Sequence, residues 1–373
     1  MSWWSRFDLA EVETDFARIA AARLDSVRLF LTWEDFQPAP DRVDRRMLER
    51  LVEVADLAGG LGLVLIPTLF TGHMSGVNWI PGWALGGSAG DRRFRVFSGG
   101  RVVHTGLRNW YTDSAIGDAQ VLLAVEAAAA LAGHDAVWAW DLGNENSNCV
   151  VPPTRTSARA WLGRLSSAIR STDETARVTV GLHMEDLEED RRLGPAEASE
   201  ACDLLSMHGY PVYADWADGP TDHRLLPFLA RVTQWLGGGR DVVFSEFGLP
   251  SLLVDEDLAA AYVARALEGL CAAGCVGALL WCYSDYPQVL AESPPFDLAP
   301  HELSFGLWRA DGSPKPAVAA VTAVVGAARC TAGQAETWID IDRDEFRLDP
   351  RSQLPRLYRR YREQSGDADA TSG

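Results

Sequence analysis

Residues 139–148 read AWDLGNENSN: an apolar strand start runs directly into Asn144, Glu145 and Asn146. Burying unpaired polar groups costs roughly 2–7 kcal/mol each, so such a strand makes sense only if its C-terminal end opens into a cleft. A second stretch, VVFSEFGLPS at 242–251, does the same with Glu246 just before a Gly-Leu-Pro turn. Two carboxylates that each end an apolar strand set the question of what fold brings strand ends together.

Working outward, short and nearly continuous apolar runs recur along the chain. They are SVRLFLTW (26–33), LGLVLIPTLF (61–70), AVWAWDLGNE (136–145), ARVTVGLH (176–183), DLLSMHGY (203–210), DVVFSEFG (241–248) and VGALLWCYSD (276–285). This is the pattern of parallel strands covered on both faces. Helical stripes lie between them: Leu9, Val12, Phe16 and Ile19, then Met47, Leu48, Leu51, Val54 and Ala55, and further helices over 114–132, 156–171, 222–237, 255–273 and 315–328. Strands alternating with helices of that length give right-handed βαβ units, hence a doubly wound sheet or a closed barrel. No GxGxxG follows the first strand, which disfavours the dinucleotide-binding sheet. The expected fold is an α/β (β/α)8 TIM barrel.

Seven strands are visible where an eight-stranded barrel needs one more. A helix at 8–24 precedes the first of them, so the absent strand is expected ahead of Met1, with WIDIDRDEF at 338–346 as the other segment that could close the barrel. The expected organisation is a catalytic barrel over 1–330 and a peripheral extension over 331–373, with one helix around RLYRRYRE and a disordered end. Residues 71–113 form a long loop rich in aromatics, with FRVFSGGRVVHTG reading as a hairpin turned at Gly99 and Gly100.

Of 373 residues, 47% are hydrophobic and 23% charged, the balance of a globular protein with a sizeable core. Asp plus Glu number 52 against 34 Lys plus Arg, a net charge of −18. That surface repels nucleic acid and acidic membranes and suits a neutral substrate. With no basic-then-apolar start and no long apolar run, the sequence reads as cytoplasmic and not membrane-bound. The six cysteines show neither CxxC pairs nor His spacing, so no zinc site, no cofactor and no disulfide framework is expected, only small buried side chains.

Two carboxylates across a barrel mouth are the minimum apparatus for cleaving a glycosidic bond, one protonating the leaving oxygen and the other attacking the anomeric carbon. With the remaining motifs, the chain over roughly 20–330 resembles the retaining glycoside hydrolases of clan A, and glycoside hydrolase family 5 most of all. The motifs are Asn144-Glu145, Glu246, Arg28 in SVRLF, His208 and Tyr210 in MHGY, Trp281 in LLWCYSD, and the run FGLWRADGSPKPA at 305–317. The resemblance implies Glu145 as acid/base and Glu246 as nucleophile, on the fourth and seventh strands if an unseen one is counted first.

It further implies substrate contacts from Arg28, Asn144, His208, Tyr210 and Trp281, and from His73 in TGHMSGVNW. Trp79 and Trp110 are candidate walls of further sugar positions, and no metal is expected. Arg28 beside Glu246 would keep that carboxylate ionised, while Glu145 must hold its proton near neutrality. The loop GHMSGVNWIPGW resembles the β-mannosidase and β-mannanase branches, so the expected substrate is a neutral β-mannoside or a short β-mannose-containing oligosaccharide. A β-glucosidase or endoglucanase, and a carbohydrate-binding barrel without turnover, stay open as alternatives, as do exo or endo action and the oligomeric state.

Overall fold

The computed structural model describes residues 3–90, 93–327 and 337–370. Seven parallel strands lie where the apolar runs predict them: β1 (Ser26–Phe30), β2 (Val64–Thr68), β3 (Trp140–Asn144), β4 (Val178–Gly181), β5 (Leu205–His208), β6 (Val242–Phe247) and β7 (Gly277–Leu280). They run in the order β1-β2-β3-β4 and β5-β6-β7. The two groups join where His208 N–H donates to the Leu182 carbonyl at 2.8 Å and Asp203 N–H to the Val178 carbonyl at 2.9 Å. The wall is thus continuous from β1 to β7, and the fold is that of a (β/α)8 barrel with seven strands among the described residues.

The outer ring is α1 (Leu9–Ala21), α2 (Arg45–Gly60), α3 (Ser114–Ala130), α4 (Arg155–Arg170), α5 (Leu225–Leu236), α6 (Glu256–Ala272) and α7 (Pro316–Ala327). Their starting points are written into the sequence. Asp8, Asp44, Asp113 and Asp255 each accept a backbone N–H of the first turn, and Thr154 closes a capping box with Ser157. Such caps contribute about 1 kcal/mol apiece. Val12, Phe16 and Ile19 bury one face of α1, and Leu51, Val54, Ala55 and Ala58 one face of α2, as the 3.6-residue period requires.

The 71–113 loop folds into a small sheet above the barrel mouth. Gly72–Met74 pairs antiparallel with Val77–Trp79, which runs beside Arg95–Ser98 and its hairpin partner Arg101–Val103. Gly99 and Gly100 turn the hairpin at φ 56° and 77°, a conformation that favours glycine.

The C-terminal segment differs from expectation. Trp338 is not in a strand that closes the barrel. Its ring lies 5.3 Å from Phe228 and 5.4 Å from Tyr361, and residues 343–348 form a short helix, α8 (Arg343–Leu348). The final helix α9 runs over Pro350–Ala370, so much of the end expected to be disordered is helical. Leu354, Leu357 and Tyr358 are buried in the main core, and Tyr358 Oη donates to Asp222 at 2.5 Å. The i, i+3, i+4 spacing of these three residues explains the docking. Leu357→Ala should therefore destabilise the protein by roughly 2–5 kcal/mol, seen as a lower urea midpoint with undiminished activity below the transition.

The cysteines also depart from expectation at one place. Cys149, Cys202, Cys275 and Cys282 are in no disulfide, whereas Cys271 takes part in one; Cys330 lies outside the described residues. No helix among the described residues is long and apolar enough to cross a membrane.

Candidate active site

The polar cluster forms where β3, β4, β5 and β6 end. Their ladders slip register close to these ends, at Thr179/Gly181, Met207/His208 and Phe244/Phe247. Such irregularities re-aim side chains, and here they turn His208 and Glu246 toward the barrel axis. Glu145 itself follows β3 in a left-handed conformation, at φ 48°, uncommon for a residue with a side chain and typical of functional positions.

Arg28 is the organising cation. It rises from β1, with its side chain 4% exposed, and its guanidinium meets Asp141 at 2.9 and 2.5 Å, Asn144 Oδ1 at 2.6 Å and Glu246 Oε1. Asp141 sits inside the quoted stretch but was not singled out by its sequence. It is wholly buried and also accepts from Thr68 Oγ1 at 2.9 Å and from the Gly143 and Gly181 amides at 3.1 and 2.9 Å. Gly181 is required for space: a Cβ there would lie 2.8 Å from Arg28 Nη2 and 3.3 Å from His208 Cε1.

Glu246 is held on both oxygens, by Arg28 on Oε1 and by Tyr210 Oη, which donates to Oε2 at 2.9 Å. Glu145 receives Asn148 Nδ2 at 3.0 Å on Oε2 and has His208 Nδ1 at 2.7 Å from Oε1. His208 Nδ1 is also 3.5 Å from Glu246 Oε2, so the imidazole stands between the two carboxylates. One ligating atom from each of Glu145, His208 and Glu246 lies within 4.8 Å of the other two. That set could ligate a cation, but Glu246 already pairs with Arg28, whose positive charge opposes a second one beside it. Burial pushes His208 down to about 4, so the ring is neutral near pH 7.

His73 also reaches the site. Its Nδ1 is 2.8 Å from Asn78 Oδ1, its Nε2 is 3.9 Å from Glu145 Oε2, and its ring lies against Phe94. Asn144 donates through Nδ2 to the His73 carbonyl, which leaves one amide hydrogen for a ligand. Trp281 ends β7, its ring edge-to-face with Phe30 at 5.6 Å.

The two loop tryptophans part company. Trp79 is half-buried under the small sheet, against Phe97 and Phe296, with Nε1 donating to the Met74 carbonyl. Trp110 is 4% exposed in the core beside Trp33 and Tyr111, and so has no free face for a sugar.

Glu302 was not expected at all. It accepts from Tyr213 Oη at 2.7 Å, and burial, with the nearby charges of Glu145 and Glu246, pushes it up to about 7. Its segment is anchored by Lys315, 5% exposed, which donates to Ser304 O and Ser251 Oγ at 2.9 Å and to Asp285 at 2.8 Å. Behind Glu145, Ser147, His183 and Asp186 form a buried trio. Ser147 Oγ donates to Asp186 at 2.6 Å and is fully buried, which excludes it as an accessible nucleophile.

Burial, the largest influence, raises the Glu145 carboxyl above its ordinary value of 4.5, the direction a general acid needs. A general acid at this position must be protonated in the first step, so kcat/KM should fall as pH climbs through the raised value. His208, already neutral there, does not produce that limb. Glu145→Gln should erase the alkaline limb, and a pH–rate profile on an activated glycoside checks it.

No protein-family model and no curated protein matches the chain. Solved structures do. GH5_18 from Streptomyces cattleya in complex with GlcNAc is similar at 22% identity over 98% of this chain and 88% of that one, with a TM-score of 0.82. A variant of that enzyme in complex with Manb1-4GlcNAc gives 0.80 at the same identity and coverage. The exo-beta-1,4-mannosidase Op5Man5 from Opitutaceae bacterium strain TAV5 is 26% identical over 88% of this chain and 57% of that one, with a TM-score of 0.72. In fold, the chain is similar to glycoside hydrolases of family 5.

Proposed function

We propose that the chain is a retaining β-glycoside hydrolase acting on β-mannosides, with Glu246 as nucleophile and Glu145 as acid/base. The observation that carries this reading is the approach of the two carboxylates, one oxygen of Glu145 lying within 4.8 Å of one oxygen of Glu246, with His208 between them. Retaining enzymes hold the pair about 5 to 5.5 Å apart, whereas inverting ones need about 6.5 to 9.5 Å to admit a water.

The roles follow from the contacts. Glu246, paired with Arg28 and steadied by Tyr210, attacks the anomeric carbon as Glu145 gives its proton to the leaving oxygen. The resulting ester cancels the charge of Glu246 and removes its repulsion of a second carboxylate. Glu145 can then take a proton from water, which attacks the same carbon from the leaving-group side and restores the original anomer. The spare Asn144 amide hydrogen suits the sugar 2-hydroxyl, where a contact strengthens as positive charge develops on the ring. Trp281 offers a flat face to the pyranose.

The mannose assignment rests on the similar solved enzymes, whose names and ligands are β-1,4-mannosidase and Manb1-4GlcNAc, and on His73 and the loop around it standing beside Glu145. The test is phenol release from aryl β-mannoside, β-glucoside and β-galactoside, with Manb1-4GlcNAc as a natural-type substrate and proton NMR of the first product. Mannoside turnover with the β-anomer appearing first supports the reading. Turnover on the glucoside alone would reassign the sugar, and an α-anomer first would overturn the retaining mechanism.

A further inference from the structure

The small sheet above the barrel mouth buries one amide side chain, that of Asn78, beside His73. Gly72–Met74 and Val77–Trp79 are joined by Ser75 and Gly76 at φ 52° and 70°, the two positive values a two-residue type I′ hairpin needs. That turn fixes the register, so His73 stands directly opposite Asn78, close enough for their side chains to meet. Asn78 is wholly buried and His73 is 6% exposed, which keeps water from competing for the contact.

The contacts leave the Asn78 amide one orientation. Its Nδ2 faces the Asn148 main-chain carbonyl at 3.1 Å, and a carbonyl only accepts, so that end is the NH2 group. Oδ1 is then the atom 2.8 Å from His73 Nδ1, and it also takes the Cys149 thiol at 3.3 Å. An amide oxygen only accepts as well, so His73 carries a hydrogen on Nδ1. Burial, the largest influence, lowers His73 below its ordinary value of 6.5, and a neutral imidazole has a single N–H. The bond at one ring nitrogen thus sets the state of the other: Nε2 is a bare acceptor. It has no hydrogen-bond partner among the described residues, since Glu145 Oε2 is 3.9 Å away, beyond bonding range.

The sugar that would meet this lone pair is the glycone. Asn144, whose spare amide hydrogen suits the 2-hydroxyl, donates its other one to the His73 carbonyl, so the same ring lies against His73. We propose that Asn78 is a positioning residue for substrate recognition: by holding the His73 hydrogen on Nδ1 it presents the Nε2 lone pair to the glycone, one hydroxyl of which must bind as a hydrogen donor. The substrate contact rests on the glycosidase reading, whereas the state of the ring does not.

Two measurements on the full chain test it. Nitrogen NMR of isotope-labelled histidine at neutral pH, with His73 assigned by its loss in His73→Gln, should show the Nδ1–H tautomer in the native chain and mainly the Nε2–H tautomer in Asn78→Leu. Asn78→Ala replaces the leucine variant if that one does not fold. The second measurement is kcat/KM for aryl β-mannosides with fluorine in place of the 3-, 4- or 6-hydroxyl, each relative to the parent mannoside. Fluorine accepts a hydrogen bond weakly and never donates one, so at one of the three positions the penalty should be about tenfold larger in the native chain than in the Asn78 variant. A native ring with its hydrogen on Nε2 would overturn the proposal. So would identical fluorine penalties in the two proteins, the result expected if Asn78 only holds the hairpin together. A failure of the glycosidase reading looks different: the chain would be inert on every mannoside with His73 still in the Nδ1–H form.

Discussion

Glu246→Ala should lower turnover of an aryl β-mannoside by on the order of 10⁴-fold or more, the scale seen when a covalent nucleophile is removed. The protein should remain folded, because Arg28 keeps Asp141 and Asn144 as partners at 2.5 to 2.9 Å. On the proposed assignment the loss should fall on kcat and not on binding, since the anomeric carbon has nothing to attack it while the sugar contacts proposed for Asn144, His208 and Trp281 are left in place. Added azide should restore part of the rate by entering the space the carboxylate vacated. It displaces the aryl oxide from the face opposite the leaving group, so the product is the α-mannosyl azide. In Glu145→Ala the ester on Glu246 still forms from a substrate with a good leaving group, and azide entering on the other face should yield the β-azide. Opposite anomers from the two variants would assign the two carboxylates in one experiment. The same anomer from both would refute the division of labour.

Legibility in the sequence followed the range of the forces involved. Strands buried on both faces are apolar over consecutive residues, so all seven showed, and their abrupt change to Asn144-Glu145 or Glu246 marked where the barrel opens. Asp capping residues and 3.6-residue stripes placed the helices just as locally. Residues whose meaning depends on a distant partner did not show. Asp141 reads as one acid in an apolar strand until Arg28, 113 positions away, is seen to need it.

Glu302 owes its setting to Tyr213, 89 positions earlier, and Gly181 matters because Arg28 and His208 both crowd it. Trp110 misled for a related reason: a loop tryptophan carries no periodic context to say whether it faces core or cleft. Of the buried stripe of α9, Leu357 and Tyr358 lie in RLYRRYRE and Leu354 just before it, yet the polar residues after it suggested a tail with nothing to dock on.

Arg28→Met should destabilise the fold by about 3–5 kcal/mol, the cost of leaving a buried ion pair without one member. Two carboxylates depend on this cation, Asp141 with a side chain 1% exposed and Glu246 at 8%, and both would be left in a low-dielectric site facing each other. Adding Asp141→Asn to Arg28→Met removes one of the two charges and should recover part of the stability at pH 8, which makes the pair strongly non-additive. Arg28→Lys is the sharper probe of function. It restores a charge but not a planar fork able to reach Asp141, Asn144 and Glu246 together, so it should regain much of the stability and little of the turnover. Urea midpoints of the three variants, set beside their kcat values, separate the role of Arg28 in holding the barrel mouth together from its role in aligning the nucleophile. Parallel recovery of both quantities in Arg28→Lys would show that charge alone was sufficient.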